Sequence, residues 1–113
     1  MVARNQLLVA PPYPVEQALK RLGTNLRTAR IRRNYTIEEV AEKIGTGRRA
    51  VMDAEKGKPS TGTGVYAALL WVYDLLEPLE DLASPVKDKQ GLTLAAAKEK
   101  KRARKSAGLE NEF

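Results

Sequence analysis

From Val15 to Leu82, apolar residues recur at intervals of three and four, the spacing that gathers them on one side of a helix. Val15, Ala18, Leu19, Leu22, Leu26 and Ala29 predict a first helix that begins at Pro14, whose missing N–H is no loss in a first turn. Gly23 lies inside this helix and weakens it by about 1 kcal/mol relative to Ala, so a bend or a restart is expected there. Arg27, Arg30, Arg32 and Arg33 load its carboxyl end, where positive charge meets the helix dipole favourably, and Asn34 is a suitable stop. Thr36-Ile37-Glu38-Glu39 has the form of a capping box, in which the Thr36 hydroxyl accepts from the Glu39 N–H and the Glu39 side chain reaches back to the Thr36 N–H. Ile37, Val40, Ala41 and Ile44 then give a second helix its buried face, and Gly45 ends it. After the tight turn Gly45-Thr46-Gly47, a third helix runs from Arg48 to Glu55 with Val51 and Ala54 inward, and Gly57 stops it. A fourth helix follows Ser60 or Thr63, with Val65, Leu69, Val72 and Leu76 on one face. A short fifth spans Glu77 to Leu82 with Leu79 and Leu82 inward. No segment alternates in the manner of a half-buried strand, and Leu7-Leu8-Val9 is the one stretch that offers a strand. The expected fold class is all-α, a compact unit of five helices.

Prolines set the boundaries. Pro11, Pro12 and Pro14 close an N-terminal arm, residues 1–13, and Ser84-Pro85 ends a globular part, residues 14–83. Residues 84–113 form a basic tail, poor in large apolar residues and rich in Lys, Ala and Glu. Such a tail has little surface to bury and is expected to be mobile when free, with a helix around Ala95-Ala96-Ala97 that forms on docking.

Composition narrows the chemistry. The chain has 113 residues, 42% hydrophobic and 30% charged, which suits one small domain with a packed core. It has neither cysteine nor histidine, which excludes a disulfide framework, a Cys/His metal site, a thiol nucleophile and a His-based triad. The carboxylates are not paired by spacing, so no enzyme and no cofactor is expected. No run approaches the ~20 apolar residues of a membrane span, and the N-terminus lacks the apolar core of a secretory signal, so a cytoplasmic protein is expected. The net charge of +6 fits a partner rich in phosphate, or an acidic surface. That charge is uneven: residues 15–60 carry +5, residues 61–85 carry −4 and residues 86–113 carry +4.

Two short helices joined by a three- to four-residue turn containing glycine are the mark of the DNA-binding helix-turn-helix. Here they are Thr36–Ile44 and Arg48–Glu55. Ala41 is small where the two helices approach, Ile44 and Val51 fill the wedge between them, and the second helix then projects toward a major groove about 12 Å wide. Leu26-Arg27-x-x-Arg30, Thr36-Ile-Glu-Glu-Val40-Ala41-x-x-Ile44-Gly45 and Val51-x-x-Ala54-Glu55-x-Gly57 together resemble the XRE/Cro-type helix-turn-helix regulators over about Leu22 to Ala83. Gly47 departs from the family, which often places Ser as the cap there; Asp53 puts an acid on a helix meant to face phosphates.

The resemblance implies a DNA-binding face made by Thr36, Gly47, Arg48, Arg49, Ala50, Met52, Asp53, Lys56 and Lys58. Arg48 and Arg49 stand in the first turn of the recognition helix, where arginine pairs bidentately with guanine; otherwise they are two solvated surface arginines. Ala50, Met52 and Asp53 share the outward arc, Met52 suited to a thymine methyl and Asp53 to cytosine N4. Thr36 is a structural cap that also presents its helix N-terminus to a phosphate. Arg33, Lys56 and Lys58 flank the motif as phosphate contacts or as free surface charge. Arg30 and Glu55 resemble the family's structural ion pair. Tyr66, Leu70, Trp71 and Tyr73 add apolar surface around the fourth helix and are expected to form a dimer or partner interface; the alternative is a core helix covered within one chain. The basic run Lys98 to Lys105 is either an arm for DNA or a partner, or solvated charge.

The expected function is a sequence-specific transcriptional repressor that binds a double-stranded DNA operator as a homodimer. The layout resembles HipB-type antitoxins, which implies autoregulation of an operon and a HipA-like kinase toxin as partner. The alternatives are a phage or restriction-control repressor without a toxin, a basic RNA- or ribosome-associated protein that uses the tail, and a module that binds protein alone.

Overall fold

A computed structural model describes residues 6–111; residues 1–5 of the arm and 112–113 of the tail lie outside the described residues. The described residues group into two compact units that divide between Glu77 and Pro78. The first holds α1 (Gln6–Val9), α2 (Tyr13–Arg32), α3 (Ile37–Ile44), α4 (Arg48–Lys56) and α5 (Thr63–Val72). A 3₁₀ helix (Glu77–Asp81) follows, and the second unit contains α6 (Lys89–Asn111).

Leu7, Leu8 and Val9 belong to the single turn α1, not to a strand. A lone strand would leave its backbone groups without a ladder, whereas a helical turn satisfies some of them locally. In α2, Pro14 sits in the first turn and the Glu16 N–H donates to the Pro12 carbonyl at 3.0 Å. The helix then runs twenty residues without a break. Gly23 therefore marks no restart of the helix. It is buried, and a Cβ built there would lie 2.5 Å from the Glu55 carbonyl oxygen and 2.7 Å from that of Ala54. Its lack of a side chain lets the backbones of α2 and α4 come into contact. Gly57 serves the same crossing from the other side. It takes φ +70° at the end of α4, and a Cβ there would meet the Leu19 carbonyl of α2 at 2.5 Å.

The core is Leu26 and Ala29 from α2, Val40 and Ala41 from α3, Val51 and Ala54 from α4, Tyr66 and Leu69 from α5, and Tyr73 just beyond it. Leu22, Tyr35, Ile37, Ile44, Val65, Leu70 and Val72 pack around this cluster, half-buried. Each large apolar side chain buried in this way contributes about 1.5–3 kcal/mol.

The inward face of α5 differs from the expected Val65, Leu69, Val72 and Leu76. It is Tyr66, Leu69 and Tyr73 that are buried, with Val65 and Val72 at the margin. The face is turned by one residue because both tyrosines are anchored: the Tyr66 hydroxyl donates to the Lys58 carbonyl at 3.4 Å, and the Tyr73 ring lies 5.5 Å from the Arg33 guanidinium. Tyr66 and Tyr73 are thus core residues and cannot serve the partner interface expected of them. Leu70 is half-buried, and of the four only Trp71, 68% exposed, stands open to solvent. Leu76 lies past the end of the helix, beyond Asp74 at φ +58°, and is half-buried. The expected fifth helix is a 3₁₀ turn in which Leu79 is half-buried and Leu82 exposed. The segment expected to become helical on docking carries α6, 23 residues long. The Asp88 carboxylate caps its start by accepting from the Gly91 N–H at 2.9 Å, and Ala, Lys, Arg and Leu sustain it by intrinsic preference.

Gly23→Ala sets helix propensity against packing. The added methyl gains about 1 kcal/mol of intrinsic helix preference but collides with backbone, and overpacking of that kind costs about 1–3 kcal/mol or more. A net loss of stability is expected in urea denaturation. Gly64→Ala, in the first turn of α5 with open space around it, is expected to gain up to about 1 kcal/mol. A stabilised Gly23→Ala variant would refute the close crossing.

Candidate nucleic-acid interface

The site is built on α3, the turn and α4. The capping box of α3 is complete: the Glu39 N–H donates to the Thr36 hydroxyl at 3.1 Å, and the Thr36 N–H to the Glu39 carboxylate at 3.3 Å. At the other end Gly45 takes φ +75°, the Gly45 N–H donates to the Glu42 carbonyl at 3.2 Å, and the Thr46 N–H to the Ala41 carbonyl at 2.9 Å. This left-handed closure reverses the chain within three residues and starts α4 at Arg48. Gly47 is the N-cap, extended at φ −79°, ψ 158°, and supplies no side-chain cap. Space around it is open, so a serine would fit.

Behind the motif, Arg30 locks α2 to α4. Its Nε and Nη2 donate to the two Glu55 carboxylate oxygens at 2.7 and 3.0 Å, and its Nη1 donates to the Tyr35 carbonyl at 3.0 Å. Both side chains are largely buried, 12% and 7% exposed. The hydrogen bond to Glu55 holds the guanidinium above its ordinary range, against the opposing effect of burial. Arg33, read as a phosphate contact or as free surface charge, is exposed but hydrogen-bonded to the fold. It donates to the Ala29 carbonyl at 2.9 Å and to the Tyr73 carbonyl at 2.8 Å, tying the ends of α2 and α5 together. Nothing in the local pattern distinguished it from its neighbours Arg27 and Arg32, because both its acceptors are backbone atoms. One is 40 residues away.

With Val51 and Ala54 facing the core, the opposite side of α4 carries Arg49, Met52, Asp53 and Lys56, at helical spacing. Arg49 and Lys56 are exposed, Met52 and Asp53 half-buried. Arg48, also exposed, stands at the edge of this face, its Nη1 3.4 Å from Glu38 of α3. Ala50 does not share the outward arc: it sits one turn before Ala54, at the margin of the buried side, and is half-buried. Asp53 lies 3.3 Å from the Lys58 Nζ and 3.8 Å from the Arg49 Nε. Its carbonyl also accepts from the Lys58 N–H at 3.1 Å. The acid on this helix therefore has local cationic partners, and Lys58 closes the end of α4 besides carrying charge. Thr36, exposed, is at the start of α3. No group of His, Cys, Asp or Glu among the described residues is arranged to hold a metal ion, and no helix among them is long and apolar enough to cross a membrane.

The helix-turn-helix domain family matches residues 21–83, just over half of the chain and the whole of α3, the turn and α4. The chain belongs to this family. No curated protein and no solved structure matches it. Membership makes the protein a helix-turn-helix regulator of the DNA-binding kind.

Tyr73, behind this site, supplies a test of the scaffold. It is 1% exposed, and its hydroxyl has no hydrogen-bond partner among the described residues. Burial, and secondarily the Glu55 charge, push its phenol up from 10.0 to about 12. The unfolded chain therefore loses this proton first, and the fold loses stability as pH rises from about 10 to about 12. Tyr73→Phe removes both the unmet hydroxyl and the titration. We expect the variant to be about 1 kcal/mol more stable at neutral pH and its advantage to widen across that alkaline window, measured by urea denaturation. A constant difference would contradict the buried phenol.

Proposed function

We propose that the protein is a sequence-specific transcriptional repressor that reads a DNA major groove with the exposed side of α4. The observation that carries this is the division of α4 into two faces. One is immobilised by Val51, Ala54 and the Arg30–Glu55 pair, and the other offers Arg49, Met52 and Lys56 to solvent, with Arg48 beside them. Arginine in a first turn is suited to guanine, and methionine to a thymine methyl. Thr36 and the start of α3, with Lys56 and Lys58, would hold phosphates and set the register on the duplex. Gly47 serves as an N-cap that leaves room for the backbone, and Ala50 and Asp53 shape and charge the edge of the face.

Repression would follow from occupancy of the operator. A homodimer on a two-fold operator suits such a motif, and exposed Trp71 with Leu75 beyond the end of α5 is the apolar surface that supports self-association, in place of the four-residue interface. The finer assignment, a HipB-type antitoxin with a HipA-like kinase toxin, is supported by a helix-turn-helix unit followed by a polar, basic segment. Co-purification from the native host should bring down a kinase of that class. A chain that purifies without one, and whose neighbouring reading frame encodes none, would remove the toxin and leave a repressor of the phage or restriction-control kind.

The repressor is tested by selecting operators from a random duplex pool and titrating them with Arg48→Ala/Arg49→Ala and with Trp71→Ser. The double variant is expected to lose about 1–3 kcal/mol per base-reading arginine with little change in folding stability. Trp71→Ser should weaken cooperative binding of a two-fold site more than binding of a half-site. Failure to enrich any sequence, or full affinity in the arginine variant, would overturn the proposal.

A further inference from the structure

In α6, Lys98, Lys101, Arg102 and Lys105 recur at intervals of three, one and three, which places the four cations on one side of the helix. Ala96, Ala103 and Ala107 lie toward the opposite side. All four cations are exposed, and none is paired with a carboxylate among the described residues. The stripe is self-repelling: Lys98 faces Lys101 and Arg102, and Lys105 faces the same two, all at the three- and four-residue separations where like charges destabilise a helix. Such an arrangement works against the helix unless a polyanion lies along it.

We propose that this side of α6 is a second DNA-binding element, which lies along the phosphate backbone and adds affinity without sequence preference. At 1.5 Å per residue the stripe is about 10 Å long, the length over which one strand of a duplex presents about three phosphates. Duplex DNA is favoured over an acidic protein because these four cations form one regular row at a spacing that matches a repeating line of phosphates. The proposal rests on the reading of α4 as a DNA-binding helix, and it assigns α6 the unspecific part of the binding energy.

The test measures the salt dependence of binding of the full-length chain to a fluorescent random-sequence 30-base-pair duplex. The variant Lys98→Gln/Lys101→Gln/Arg102→Gln/Lys105→Gln keeps residues of good helix preference, and circular dichroism checks that its helix content is retained. The slope of log Kobs against log salt should flatten by about 3, since every phosphate that the variant leaves unneutralised takes about 0.9 from it. Lys100→Gln/Arg104→Gln, off the stripe, should change the slope by less than about 0.5. The operator preference selected above should persist in the quadruple variant and be lost in Arg48→Ala/Arg49→Ala. An unchanged slope in the quadruple variant overturns the role of α6 and leaves α4 standing. Sequence-indifferent binding by the wild type that is lost in the quadruple variant supports α6 and overturns α4. Tighter binding of single-stranded RNA than of duplex DNA through the same four residues overturns the DNA assignment, and no binding of either nucleic acid overturns both proposals.

Discussion

Helix α4 of this protein is held by one ionic clamp in a restricted space. Arg30 grips both oxygens of Glu55 and the carbonyl of Tyr35, so a single side chain of α2 fixes α4 and the loop that leads into α3. Removing one partner from such a buried pair leaves the other charge without compensation, at a cost of about 3–5 kcal/mol. The clamp gives direction as well as cohesion, because a forked guanidinium and a carboxylate meet in one plane. The clamp closes only because Gly23 and Gly57 allow α2 and α4 to touch through their backbones. Orientation of the exposed face of α4 follows from these constraints together.

The site is an economical use of a small core. Val51 and Ala54 bury one side of α4, and the other side is left with exposed arginines in long, weak pairs: Arg48 to Glu38 at 3.4 Å and Arg49 to Asp53 at 3.8 Å. Exposed pairs of this kind contribute about 0–1 kcal/mol and yield readily to a phosphate or a base. The scaffold charges, Arg30 and Arg33, are bound at 2.7–3.0 Å to carboxylate or carbonyl oxygens. Arginines of the same motif thus divide into a set bound to carboxylate or backbone oxygens of the fold and a set with only weak partners.

Much of the fold was legible before the structure. The capping box Thr36–Glu39, the glycine closures at Gly45 and Gly57 and the inward positions Val40, Ala41, Val51 and Ala54 all depend on contacts within a few residues or on helical periodicity, and such rules are local. The Arg30–Glu55 pair was accessible through the family pattern, although 25 residues separate its members. Several departures share one cause. Gly23 suggested a restart of the helix, Tyr66 and Tyr73 a partner surface, and Arg33 either a phosphate contact or free charge, because each residue's role is set by an atom outside its own turn of the chain: the carbonyls of Ala54 and Glu55, the carbonyl of Tyr73, the carbonyl of Lys58, the guanidinium of Arg33.

By itself the sequence determined that the protein is helical, where α3 and α4 begin and end, that no cysteine or histidine chemistry is available, and that positive charge falls before and after an acidic stretch. These are matters of composition, capping and period. Tertiary structure decided which face of α5 is buried, that α2 continues unbroken through its glycine, and which of many arginines remain free to meet a ligand. Those outcomes depend on backbone atoms, and every residue carries the same carbonyl. Side-chain identity cannot announce which of them will lie within 3 Å of a guanidinium or leave no room for a Cβ; only the packed arrangement of the helices selects them.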